Sequence, residues 1–75
     1  MELKEFIAKF ADQFDDTEAS VFRADTEYQN LPEWGSITIL AVIALVRTQY
    51  GKKITATNLR ECKTVEELFN LVKSL

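Results

Sequence analysis

The sequence predicts an all-α domain: a small four-helix bundle of three main helices plus a short third helix, with a long loop between helices 1 and 2. Three observations carry this prediction. Only 2 Gly and 1 Pro occur in 75 residues, so long regular elements are favoured over many tight turns. Two stretches repeat apolar residues with the spacing of one helix face, and a third is apolar almost throughout. At 47% hydrophobic residues the composition is that of a folded chain, and the length suits one domain over residues 1–75.

The first helix is expected over about residues 2–15, where Leu3, Phe6, Ile7, Phe10 and Phe14 follow the i, i+3, i+4, i+7 rhythm. Glu2 and Glu5 fall near its N-terminus, where the helix dipole favours acids. Residues 16–34 hold no sustained period, and Asn30-Leu31-Pro32 breaks any helix, so a long ordered loop is predicted. Val21, Phe22, Tyr28, Leu31 and Trp34 are spaced to pin that loop to the core.

The second main helix is read from Ser36 to about Tyr50, with Gly51 at the position just past its end. It is apolar on more than one face, and Arg47 is its one charge. Such a helix is either the central buried element or turns part of its surface to a partner. Lys52-Lys53-Ile54 reads as a connector, and Thr57-Asn58-Leu59-Arg60 as one short helical turn of α or 3₁₀ type. Thr64-Val65-Glu66-Glu67 forms a capping-box pattern that opens a final helix over about 65–74. That helix offers Val65, Leu68, Phe69, Val72 and Leu75 to the core.

Charge and composition exclude several functions. No His is present, which removes the usual neutral-pH base, the usual activator of a Ser or Cys nucleophile and the commonest metal ligand. Asp15-Asp16 lacks a base partner or metal-ligand spacing and reads as a solvated turn; neither catalytic nor metal-binding residues are expected. Cys62 is alone, so it cannot form an internal disulfide, and it suits a reducing compartment. Lys63 beside it would lower its pKa a little. A net charge of -3 argues against nucleic acid. Residues 1–36 carry nine acids and three bases, a net -6; residues 37–75 carry six bases and three acids, a net +3. The longest apolar run, Ile39–Val46, is too short to span a membrane. Met-Glu-Leu-Lys-Glu-Phe puts acids where a secretory signal would have bases, so a cytoplasmic location is expected.

One segment concentrates the functional interest: Leu31-Pro32-Glu33-Trp34-Gly35-Ser36-Ile37 sets a Ser between loop and helix. Two readings compete. Ser is among the best N-cap residues, so Ser36 can simply satisfy a free helix N–H, although Ile39 replaces the Glu or Gln of a capping box. The other reading uses the same geometry, because a phosphate ester on Ser36 would sit favourably at the positive end of the helix. Gly35 leaves room for a bulky substituent.

Over essentially residues 1–75 the chain resembles the acyl carrier protein family. The resemblance runs through the amphipathic first helix and Phe14-Asp15-Asp16 to Val21-Phe22, then Leu31-Pro32-Glu33-Trp34-Gly35-Ser36-Ile37. It continues with the apolar second helix, the exit Tyr50-Gly51 to Ile54, Leu59, and Thr64-Val65-Glu66-Glu67-Leu68. It implies that Ser36 receives 4′-phosphopantetheine from coenzyme A through a Mg²⁺-dependent phosphopantetheinyl transferase. The arm's thiol would then hold acyl intermediates as thioesters, in fatty-acid, polyketide or another specialised biosynthesis. It also implies a monomeric, non-enzymatic carrier that visits acyl-loading and acyl-processing enzymes (ligase, synthase, transferase). A bound chain would lie against residues such as Ile43, Val46, Ile54, Leu59 and Phe69. An aminoacyl or peptidyl carrier would share fold and arm, and an unmodified carrier-like interaction module would keep the fold alone.

Two departures bear on recognition. Gly35 and Ile37 stand where the family usually has Asp and Leu, and the missing Asp implies slower modification or a dedicated transferase. Residues 37–50 contain no acid, where the family's second helix is normally acidic. Recognition by partners is therefore expected from Gly35 and Ile37 with the loop acids Asp25, Glu27 and Glu33, or through apolar contacts.

Overall fold

The computed structural model describes residues 2–75. Four α-helices form: α1 (Leu3–Ala11), α2 (Ser36–Tyr50), α3 (Ala56–Glu61) and α4 (Val65–Ser74). Between α1 and α2 the chain makes two 3₁₀ turns, Ala19–Val21 and Tyr28–Asn30. No strand occurs among the described residues; a single antiparallel bridge joins Glu27 to Thr64. Helix α1 packs against α4 and α2, and α3 packs against α2. The radius of gyration, 10.9 Å, is that of a compact domain of this length, for which about 11 Å is usual.

Helix α1 buries Phe6 and Phe10 and half-buries Leu3 and Ile7, as its stripe predicts. It is shorter than its periodicity. Gln13 and Phe14 donate to the carbonyls three residues back, which tightens the exit and still carries Phe14 into the core. The next two amides are taken by a distant side chain: Asp15 N–H and Asp16 N–H donate to the Glu33 carboxylate at 3.0 and 2.9 Å. They cannot also continue the helical ladder, so α1 ends.

The segment between α1 and α2 is held by aromatic packing. Phe14 lies 4.8 Å from Phe22, Phe10 5.5 Å from Tyr28, and Tyr28 4.8 Å from Trp34, between ring centroids. Phe22 and Tyr28 are buried, and Leu31 and Trp34 pack against the same core. Val21 does not join them: it is 43% exposed, because the turn Ala19–Val21 lies at the surface with no buried residue.

The remaining helices are closed by specific caps. Gly51, at φ 64°, takes the left-handed conformation that glycine adopts without strain, and its N–H returns to α2. The 57–60 stretch is a full α-helix, not a 3₁₀ turn, because Thr55 and Asn58 form a reciprocal capping box in front of it. For α4 the box is open on one side. Thr64 Oγ1 accepts from Glu67 N–H, but Glu67 Oε1 accepts from Lys63 N–H. Helix α4 buries Val65, Leu68, Phe69 and Val72, whereas Leu75, which lies past the last helical residue Ser74, is 50% exposed.

Tyr28 ties these parts together. Its ring is fully buried, and its hydroxyl contacts the carbonyls of Leu59, at 2.6 Å, and Cys62, at 2.9 Å. Burial pushes its pKa well above the ordinary tyrosine value, so it stays a donor. Gln29 Nε2 donates to the carbonyls of Leu59, Arg60 and Cys62 as well, so the turn at 28–30 caps the C-terminus of α3. Just upstream, the Ala24 and Thr26 carbonyls accept from Glu66 and Val65 N–H and cap the N-terminus of α4. Tyr28→Phe keeps the ring and removes the donor, so it should cost about 1–2 kcal/mol. For a domain of this size that corresponds to a Tm lower by roughly 5–15 °C, measured by circular dichroism; an unchanged Tm would show that the hydroxyl holds nothing.

Candidate functional site

The site is built around the start of α2. Helix α2 begins with Ser36 as its first helical residue, and the N-cap is Gly35, not Ser36. Gly35 is fully extended and has no side chain to cap with, so no side-chain oxygen satisfies the helix N-terminus. The cap reading of Ser36 is thereby corrected: the serine sits one position too far along to serve as the cap. Its side chain is exposed and its hydroxyl makes no hydrogen bond among the described residues.

The backbone amides beside it are also free. Among the described residues Ser36, Ile37 and Thr38 N–H have no partner, and the first helical bond is Ile39 N–H to the Gly35 carbonyl at 2.9 Å. At α4 the corresponding amides are taken by Thr26, Ala24 and Thr64. The start of α2 therefore offers three donors and the positive end of a 15-residue helix next to an unengaged hydroxyl. A phosphate ester on Ser36 fits this arrangement, because its charge would meet donors that the protein leaves unused.

The segment leading to Ser36 is fixed, although Ser36 itself is exposed. Thr38 Oγ1, in a largely buried side chain, donates back to the Glu33 carbonyl at 2.8 Å. Trp34 N–H donates to the Leu31 carbonyl at 3.0 Å, and the Trp34 ring packs on Tyr28 and Phe14. Glu33 anchors the other side: besides the Asp15 and Asp16 amides, its Oε1 accepts from Thr17 Oγ1 at 2.6 Å. The Thr17 hydroxyl, with the neighbouring amides, holds the Glu33 carboxyl below its usual value of 4.5.

The predicted recognition residues are not gathered in one place by these contacts. Gly35 and Ile37 flank Ser36, and Ile37 is 86% exposed. Glu33 is adjacent, but its carboxylate is engaged with residues 15–17. Asp25 is exposed in the turn that caps α4. Glu27 is exposed, pairs through its backbone with Thr64, and accepts from Asn30 Nδ2 at 3.5 Å. Of the residues expected to line a bound acyl chain, Val46, Ile54, Leu59 and Phe69 are packed in the core and Ile43 is half-buried.

Sequence reasoning did not single out Thr38 or Gln29, which position the site and its supporting turn. Thr38 carried a signal, being the one hydroxyl residue within the otherwise apolar stretch 37–46. Cys62 is corrected: burial first, then the Glu67 and Glu61 carboxylates, push its thiol pKa up, against the lowering expected from Lys63. No cluster of metal-ligating side chains occurs among the described residues, and no described helix is long and apolar enough to cross a membrane. Comparison with protein-family models, with curated proteins and with solved structures finds no match.

Two outcomes follow. Because the folded Glu33 pKa is lowered, its stabilisation is complete above the unfolded value and is lost as pH falls through the folded one. Glu33→Gln should therefore lower Tm at pH 7, and the gap to the unmodified sequence should close as pH falls below the ordinary carboxylate value of 4.5; a gap independent of pH would refute the anchor. At Gly35 a Cβ would meet nothing within 4 Å, and the extended backbone suits any residue. Gly35→Asp should cap α2 and raise stability by about 0.5–1 kcal/mol, read as a higher midpoint in urea.

Proposed function

We propose that this chain is an acyl carrier protein: a small, cytoplasmic four-helix bundle with a long loop between helices 1 and 2, carrying 4′-phosphopantetheine on Ser36. The single observation behind the reading is the state of Ser36. It is the first residue of α2, exposed, unused as a cap, and set beside three free amides on a rigidly held segment. A serine kept only for capping would sit at position 35 and bond an amide.

In this reading the chain's own residues bind and orient. Ser36 Oγ provides the attachment point, and the Ser36, Ile37 and Thr38 amides face the phosphodiester charge. Glu33, Trp34 and Thr38 fix the direction in which the arm leaves the protein. The arm, when attached, supplies a thiol that holds an acyl group as a thioester, so the protein itself needs no catalytic side chain. Acyl-loading and acyl-processing enzymes are its partners, beside the phosphopantetheinyl transferase. An aminoacyl or peptidyl carrier is the same reading with a different cargo.

A second reading is an unmodified interaction module, favoured by Gly35 in place of Asp and by the exposed apolar side chains of α2. Intact mass distinguishes the two. After incubation with coenzyme A, Mg²⁺ and phosphopantetheinyl transferases, including those of the host, the protein should gain one phosphopantetheine, and Ser36→Ala should gain none. No gain with any of them would leave the interaction module as the function.

A further inference from the structure

Bases gather at the end of the bundle opposite Ser36. From Arg47 to Arg60 the chain contains four bases and no acid, and from Leu68 to Leu75 one base and no acid. Packing brings parts of these two stretches together. Phe6 lies 5.7 Å from Tyr50 and 5.5 Å from Phe69 between ring centroids, and Lys52 Nζ donates to the Leu75 carbonyl. The last turns of α2 and α4 therefore meet beside the start of α1. Arg47, Lys53 and Lys73 are exposed at this end, and Lys52 is half-buried. The Lys73 ammonium stands 5.4 Å from the Phe69 ring centroid, which keeps it against the bundle. Helix α2 is 15 residues long, so its last turn is about 20 Å from Ser36.

Local structure accounts for only part of this charge. Arg47 and Lys73 lie in the last turns of their helices, where the dipole favours bases. Two helix C-termini together are worth about one negative charge, whereas Arg47, Lys52, Lys53 and Lys73 are four positive ones. Carboxylates do not make up the difference. Among the described residues the one ion pair is Glu5–Lys9 at 3.2 Å, within α1, and Glu2 and Glu5 do no more than balance Lys4 and Lys9. A surplus of about three positive charges is left at one end of a chain whose net charge is -3. Like charges held together repel and cost stability, so folding does not account for the surplus; attraction of an anionic partner does.

We propose that Arg47, Lys52, Lys53 and Lys73 form a docking surface for an acidic segment of a partner protein, held at the end remote from Ser36. The arrangement of charge selects this occupant. Glu2 and Glu5 are exposed at the same end, so a broad anionic surface, such as a membrane or a duplex, would press on carboxylates as well as bases. A narrow run of Asp and Glu can follow the bases from α2 through the 51–53 connector to α4 and pass Glu2 and Glu5 by. Lysine and arginine heads on long stems adapt to such a run without a preformed pocket. A partner held here leaves Ser36 and its free amides uncovered. The proposal stands whether or not Ser36 is modified.

The test is an amide chemical-shift titration of the full chain with a short synthetic peptide of Glu and Gly, against the same peptide with Gln for Glu. Saturable shifts at Arg47, Gly51, Lys52, Lys53 and Lys73 are expected with the Glu peptide only, and added NaCl should weaken the binding. Lys53→Glu with Lys73→Glu should weaken it about tenfold. Lys53→Arg with Lys73→Arg should retain it, and each variant's own spectrum reports that it is folded. Absent shifts, shifts confined to other surfaces or equal binding of the Gln peptide would each overturn the proposal. So would tighter binding of phosphatidylserine vesicles or duplex DNA than of the peptide, or shifts at these residues that grow with protein concentration alone, which would assign the surface to a second copy. Ser36→Ala should bind the peptide unchanged, and Ser36 loading is read separately by intact mass, so failure of docking and failure of the carrier reading are told apart.

Discussion

The hydroxyl of Tyr28, donated to the Leu59 and Cys62 carbonyls inside the protein, is the constraint on which the other contacts depend. A buried phenol needs a partner, and a helix C-terminus needs donors; α3, only six residues long, meets both demands at once. The ring of the same residue touches Phe10 of α1 and Trp34 of the segment before α2. One side chain thus sets α1, the α3–α4 junction and the approach to α2 relative to one another. Gln29 on one side and the Ala24 and Thr26 carbonyls on the other extend that hold to both ends of the junction.

From Tyr28 the order passes to Ser36. Trp34 rests on the Tyr28 ring, Thr38 bonds back to the Glu33 carbonyl, and the Glu33 side chain gathers residues 15–17. The backbone on either side of Ser36 is therefore fixed while its hydroxyl and the adjacent amides remain open to solvent. That combination suits a residue that carries a substituent: an attached group is presented in a constant direction, and nothing has to be displaced to attach it. Gly35 fits this arrangement without being demanded by it, since its backbone is ordinary extended chain with open space around it.

The charge distribution serves the surface more than the interior. Although residues 1–36 and 37–75 carry opposite net charge, ion pairing between the two halves is absent among the described residues. The acids instead bond backbone groups, as Glu33 and Glu67 do, or stand in solvent, as Asp12 and Asp15 do. Surface pairs would add little stability in any case.

Periodicity in the sequence determined the faces of α1 and α4, because residues three and four apart share a face whatever surrounds them: Phe6, Phe10, Val65, Leu68 and Val72 are buried as their spacing requires. The placement of Ser36 at the start of α2, and of Gly51 at its end, was legible for the same local reason. Three things were decided only by the tertiary structure. Helix α1 stops early because Glu33, 18 residues away from Asp15, takes the amides that would have continued it. Tyr28 and Gln29 cap a helix about 30 residues further on, through bonds that leave no local pattern. Helix α2 is apolar nearly all round, so its sequence does not distinguish a buried face from an exposed one; the packing of α1 and α3 against it does, and leaves Ile37 and Leu40 outside.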